Sequence, residues 1–190
     1  MCSDHRQDFF VHNVLPGNYG TFLDIGSHKP VAANNTFQLE RLGWRGLAFD
    51  ITDWSEDWVN NRVSKFINTD VTKFNWKKEL PKYPIFDNKV IDYISFDVDD
   101  ATISAFENFP FDEYEFKVMT IEHDKYRVGD ATKNFICKYL LEKGYVLLCE
   151  DVCANYPGQE FEDWWVNPKY VNMLSVEKFR SKSKMCTDIV

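Results

Sequence analysis

Four short apolar runs in this chain end in or carry an acid near their C-terminal end, and helix-like stretches separate the runs. The acids are Asp24, Asp50, Asp97 and Glu122, and a fifth, Asp70, follows a weaker run. Strand patterns alternating with helix patterns predict an α/β fold with a mainly parallel central sheet. In such sheets the ligand crevice lies outside the carboxyl ends of the strands. The same register would therefore gather several carboxylates around one crevice. Taken singly, each acid reads as a turn former or helix cap. Their repetition in register reads as a site.

The strand and helix assignments follow from pattern and punctuation. Residues 21–25 form a short apolar run stopped by Gly26. Residues 31–42 have helical spacing, with Pro30 suited to a first helical turn and Gly43 to a C-terminal cap. Strands are predicted at 46–51, 65–70, 90–97, 116–122 and 145–149, of which 90–97 is the clearest. Helices are predicted at 53–63, 101–108 and 131–143, the last ended by Gly144. The stretch around Pro81 and Pro84 reads as a loop. Residues 1–19 read as an N-terminal lead-in, 20–176 as one domain, and 177–190 as a flexible C-terminal tail.

The crevice has further character. Gly26 lets the backbone approach a ligand closely, yet Ser27, His28, Lys29 and Pro30 follow it, so the glycine-rich pyrophosphate fingerprint is absent. Asp50 can accept hydrogen bonds from two ribose hydroxyls. The combination suits a nucleoside ligand without a pyrophosphate. S-adenosylmethionine is such a ligand, and its sulfonium and ammonium tolerate an acidic pocket.

Composition narrows the classes. The chain has 190 residues, 22 Lys+Arg against 30 Asp+Glu, and a net charge of −8. Nonspecific nucleic-acid binding needs clustered positive charge, so no nucleic-acid partner is expected. No apolar run approaches the roughly 18 residues of a membrane span, and no signal peptide is evident, so no membrane partner is expected. Cys2, Cys137, Cys149, Cys153 and Cys186 are odd in number and scattered, which reads as free thiols in a reducing cytoplasm rather than a disulfide framework or zinc site. An aromatic share of 16% argues against disorder.

The segment from Phe22 to Pro30, then Asn34-Asn35-Thr36, Leu39-Glu40 and Gly43-Trp44-Arg45-Gly46-Leu47, resembles the opening of FkbM-type methyltransferases. Residues 91–100, then Val118 to Asp124, and finally Phe161 to Val166, resemble later segments of that family in the same order. The resemblance spans about residues 20–168. It implies a Rossmann-like class I methyltransferase fold and methyl transfer from S-adenosylmethionine, commonly to a hydroxyl oxygen. By position, Asp24, Gly26 and Ser27 would line the methionine end of the cofactor. Asp50 would hold the ribose, and Asp70 with Val71 would lie near the adenine. Asp97 would face the reacting centre. The chain departs from the family pattern at Asp99-Asp100, where the family has Glu-Gly, and at Lys29-Pro30. Both departures bear on the acceptor more than on the cofactor.

A hydroxyl acceptor benefits from a base, and Asp97, Asp99 and His123 are the catalytic candidates. Glu122 and Trp164 are candidates for acceptor contact, Trp164 by stacking on a sugar face. Asp97, Asp99, Glu122 and His123 have the oxygen-rich chemistry of a Mg²⁺ or Ca²⁺ site, but the expectation is a metal-independent enzyme. The expected acceptor is a carbohydrate or other small hydroxylated molecule. With so short a chain, its recognition falls to loops, to the Trp-rich segment, or to the second subunit of a homodimer. Two rival readings are a degenerate member that binds nucleoside or glycan without turnover, and a nicotinamide-dependent enzyme on the same architecture.

Overall fold

The computed structural model describes residues 3–190; Cys2 lies outside them. Along the chain run α1 (Gln7–Val14), β1 (Thr21–Ile25), α2 (Phe37–Arg41), β2 (Arg45–Asp50), α3 (Ser55–Asn61) and β3 (Lys65–Asn68). Next come α4 (Trp76–Glu79), β4 (Val90–Phe96), α5 (Thr102–Asn108), β5 (Glu115–Glu122), α6 (Lys125–Val128) and α7 (Ala131–Glu142). The chain ends with β6 (Val146–Cys153), β7 (Glu160–Val166), α8 (Met173–Val176), β8 (Ser181–Lys182) and α9 (Cys186–Ile189). The eight strands make one sheet in the order β3-β2-β1-β4-β5-β7-β6-β8. β1 to β5 are mutually parallel, and β7 lies antiparallel between β5 and β6. The predicted α/β class and mainly parallel sheet are therefore present.

The sheet is buried on both faces because neighbouring residues on a strand point to opposite sides. Leu23, Ile94, Met119 and Trp165 belong to the core on one face. Their neighbours Phe22, Tyr93, Val118 and Trp164 belong to the core on the other. Both-sided burial explains why these strands read as continuous apolar runs. Strand order reverses between β1 and β4, since β1 is followed in sequence by β2 on one side and pairs with β4 on the other. The crevice of a doubly wound sheet opens at that switch point.

Several boundaries differ from the predicted ones. The helix expected over 31–42 survives only as α2, because Asn34 and Thr36 turn inward to hydrogen-bond around Asp24 rather than continue a helix. The proline-rich loop holds α4, anchored by Trp76, which packs on Phe49 and Phe109. The lead-in contains α1, with Phe10 and Val11 fully buried and Phe10 stacked on Trp164 at 4.6 Å. Residues 177–190 are not a loose tail: β8 pairs with β6, and Phe179 and Cys186 are buried. Cys137, Cys149, Cys153 and Cys186 are free thiols.

Candidate functional site

A cavity of about 540 Å³ opens at the C-terminal ends of β1, β2 and β4, where the switch point predicts it. Gly26 shapes its floor. It has φ 81, and a Cβ there would sit 1.5 Å from the Asp97 carbonyl oxygen, so only glycine lets β1 end this close to β4. The Gly26 and Ser27 amides both donate to the Phe49 carbonyl, tying the loop after β1 to β2.

Asp24 is buried beneath this loop. Its Oδ2 accepts from Thr36 Oγ1 at 2.7 Å and from Asn34 Nδ2 at 3.1 Å. Arg62, at the end of α3, braces both partners, donating to Asn34 Oδ1 and Thr36 Oγ1. Its Nε also pairs with Glu40 at 2.8 Å. Burial pushes the Asp24 carboxyl up to about 6, against the pull of Thr36, Arg62 and Asn34. The Asn34-Asn35-Thr36 motif is thus a clasp around Asp24, and Asn35 adds a bond to Ser95 Oγ.

Asp50 closes β2 at the cavity wall. Its Oδ2 accepts the His28 amide and its Oδ1 the Thr52 amide, so both oxygens are oriented by backbone. Each carboxylate oxygen still has acceptor capacity for a ligand hydroxyl. Asp70 borders the cavity too, held by Thr72 and by Lys73 at 2.7 Å. Those bonds draw its carboxyl down to about 2. Val71 and Ile51 supply apolar surface; Ile51 is 74% exposed.

At the ends of β4 and β5, Asp97, Asp99, Glu122 and Asp124 meet around the same cavity. Burial, then repulsion from Asp99, Asp124 and Asp50, raises Asp97. Burial and the adjacent Asp97 raise Glu122 further, so Glu122 holds a proton at neutral pH. Glu122 Oε2 is buried without a partner. Asp97 is itself open to the cavity, although protein surrounds it closely. Carboxylate oxygens of Asp99, Glu122 and Asp124 lie within 4.8 Å of one another, a spacing able to hold a metal ion. Arg127 already occupies part of that set, at 2.7 Å from Asp124 and 3.9 Å from Asp99, and it also reaches Asp100 at 3.0 Å.

Two expected site residues are elsewhere. His123 does not border the cavity; it is 2% exposed and turns to the far side of its strand end. Its Nε2 lies 3.4 Å from Asp163 Oδ1 and 3.9 Å from Asp151 Oδ1, and its Nδ1 accepts the Lys125 amide. Glu122 and His123 are neighbours, so only one of them can face the crevice. Trp164 is fully buried in the core, with its Nε1 donating to Glu162 Oε1 at 2.7 Å. It cannot stack on a sugar.

Asp24, Gly26, Ser27, Asp50, Asp70, Val71, Asp97, Asp99 and Glu122 all border the one cavity. The sequence reading missed Asp124, Ile51, Tyr126, Phe161 and the N-terminal His5 and Gln7, which border it as well. His5 packs on Phe161 with ring centroids 4.7 Å apart, and burial lowers its basicity. The helical spacing of Phe10, Val11 and Val14 is the signal that would have placed α1, and with it Gln7, on the sheet.

No family model matches the chain, and no curated protein matches it. Similar solved structures do exist. A TehB-like S-adenosylmethionine-dependent methyltransferase from Corynebacterium glutamicum superposes with a TM-score of 0.55 at 13% identity, covering 85% of this chain and 86% of that one. The 1,6-didemethyltoxoflavin-N1-methyltransferase of Burkholderia thailandensis, bound to its substrate and S-adenosylhomocysteine, gives 0.53 at 12% identity over 86% and 76%. An O-methyltransferase from Bacillus cereus in complex with S-adenosylhomocysteine gives 0.50 at 13% identity over 87% and 80%. At these identities the likeness concerns the fold, which is that of the Rossmann-like class I methyltransferases.

Proposed function

We propose that the chain is an S-adenosylmethionine-dependent methyltransferase acting on a small polar acceptor. The observation that carries this reading is the charge of the cavity. Among the described residues it is bordered by acids from the ends of β1 to β5 and by no lysine or arginine. A dinucleotide brings a pyrophosphate that such walls repel, whereas a sulfonium cofactor brings net positive charge. The residues present fit that cofactor. Ser27 Oγ is buried without a partner and has a proton to give a ligand carboxylate. Asp50 has acceptor capacity for ribose hydroxyls, and Ile51 and Val71 offer an apolar seat for the base. When bound, the cofactor supplies an electrophilic methyl group.

The FkbM-like segments favour O-methylation of a hydroxylated acceptor such as a sugar. With His123 outside the cavity, the proton of that hydroxyl falls to Asp97 or Asp99. Asp97 suits the role better, because its raised carboxyl is a stronger base than an ordinary aspartate. Glu122 beside it would orient the acceptor.

Calorimetry with S-adenosylhomocysteine and NADH tests the reading. S-adenosylhomocysteine should bind and NADH should not. Asp50→Ala should weaken S-adenosylhomocysteine about tenfold or more, the usual cost of losing a charged hydrogen-bond partner of roughly 1.5–3 kcal/mol. Equal affinity in a folded Asp50→Ala protein would count against the assignment.

A further inference from the structure

The acceptor end of the cavity lacks counter-charge even after the cofactor is counted. Two cationic centres and one carboxylate give S-adenosylmethionine a single net positive charge. Against it stand Asp24, Asp50, Asp97 and Asp99, with Asp4, Asp70 and Asp124 on the same walls and Glu122 beside them carrying a proton. The nearby cations are engaged elsewhere. Arg127 holds Asp124 and Asp100 and comes no closer than 3.9 Å to Asp99, and Lys125 holds Glu160 at 2.7 Å and Asp151 at 3.1 Å.

A second observation is independent of charge. Gln7 borders the cavity and is 3% exposed; its Nε2 donates to Glu162 Oε1, but its Oε1 has no partner. A buried acceptor of this kind is costly unless a donor meets it. A ligand rich in N–H donors supplies what Gln7 lacks.

Resting on the methyltransferase reading, we propose that the acceptor carries a protonated amine, and that Asp97, Asp99 and Glu122 hold its ammonium with Gln7 at the wall. An ammonium has three donors and no acceptor, matching walls that offer acceptors and no free cation. An acceptor bearing a phosphate or carboxylate is repelled. A divalent ion is the less favoured occupant. To bridge Asp99, Glu122 and Asp124 it would have to displace the Arg127 guanidinium from Asp124, whereas an ammonium among Asp97, Asp99 and Glu122 meets Arg127 only across its long 3.9 Å approach to Asp99. The shared position of Asp97 and Glu122 adds a consequence: amine binding should release a proton from the pair.

Matched probes that differ only in charge test this on the full chain saturated with S-adenosylhomocysteine. One series is glucosamine, glucose and glucuronate; the other is benzylamine, benzyl alcohol and benzoate. Binding is read by ligand-observed NMR and by thermal shift. In at least one series the amine should bind tenfold or more tighter than the alcohol, and the acid should show no binding. Glu122→Gln should erase that preference while leaving S-adenosylhomocysteine affinity within threefold. The proposal is overturned if alcohol or acid matches the amine, if all six probes are silent, or if Glu122→Gln leaves the preference intact. It is also overturned if Mg²⁺ alone binds, excludes the amines, and loses its site in Asp99→Asn. Failure of the methyltransferase reading would look different, since S-adenosylhomocysteine itself would then not bind.

Discussion

Asp151 and Asp163 stand on β6 and β7; Asp97 and Glu122 stand at the ends of β4 and β5. Both sets are carboxylates crowded together, and both lie next to the same short segment, 122–124. Around the first set the fold supplies cations. Lys133 Nζ lies 2.6 Å from Asp151, Lys125 Nζ lies 3.1 Å away, and the Asp151 amide donates to Asp163 Oδ1 at 2.8 Å. Burial opposes ionisation there, yet Lys133 and Lys125 hold the Asp151 carboxyl below its ordinary value. Around the second set no lysine comes near; Asp97 and Glu122 are both pushed up instead. Balanced charge makes the first cluster a brace, and the unbalanced second cluster has the chemistry that the proposed cationic ligand needs.

The strongest way to break this contrast is Lys133→Met. It strips the shortest counter-ion from a buried aspartate, and unpairing a buried charge costs on the order of 3 kcal/mol or more. Urea denaturation at neutral pH should show a loss of about that size, with Lys125 limiting the damage. A loss under about 1 kcal/mol would mean that the lysines do not stabilise the first cluster, and the contrast would fail.

The same contrast shows what was legible in the residues. Acids at strand ends are visible because strand periodicity and topology together dictate where a strand end points. Asp24, Asp50 and Asp97 therefore reached the cavity as expected, and so did Gly26, whose neighbour turned out to be the Asp97 carbonyl. The Asn34-Thr36 motif was visible as a pattern, but its partner Arg62 was not, because nothing local ties residue 62 to residue 34. His123 and Trp164 were misplaced for a different reason. Each sits beside a residue facing the other way, and the sequence does not state which of two neighbours faces the crevice when both faces of the sheet are buried. The antiparallel β7, which carries Trp164 into the core, depends on long-range pairing with β5 and β6 that no local signal encodes. Gln7 and His5 depend in the same way on α1 docking against Trp164.

Asp24 offers the next test, because it is buried without a lysine and yet is clasped by neutral donors. Its carboxyl is raised from 3.8 to about 6. The folded state thus binds the proton more tightly than the unfolded chain. The stability from that proton is fully present below about pH 4 and is lost as pH rises through about 6. A shift of this size corresponds to roughly 3 kcal/mol. Asp24→Asn removes the ionisation and keeps an oxygen for Thr36. The unliganded variant should be more stable than the parent by about 2 kcal/mol at pH 7.5, with a flatter profile between pH 4 and 6. S-adenosylhomocysteine should bind it more weakly. A destabilised variant with an unchanged pH profile would place Asp24 with the lysine-balanced brace instead.

The smallest effect is the most discriminating. Glu122 holds its proton at neutral pH, and a glutamine is close in shape to a neutral glutamic acid. Glu122→Gln should therefore change stability by under about 1 kcal/mol below about pH 4, where the carboxyl is neutral in the folded and the unfolded chain alike. The difference then grows with pH. Because folding raises the Glu122 carboxyl from 4.5 to about 11, the parent loses stability as pH rises from about 4.5 through neutrality toward the folded value, and the glutamine variant does not. Urea midpoints should coincide near about pH 4 and diverge upward for the variant as pH rises through neutrality. Should Glu122→Gln instead cost 2 kcal/mol or more at pH 7, Glu122 would be part of the scaffold, and the unbalanced cluster would owe its form to folding rather than to a ligand.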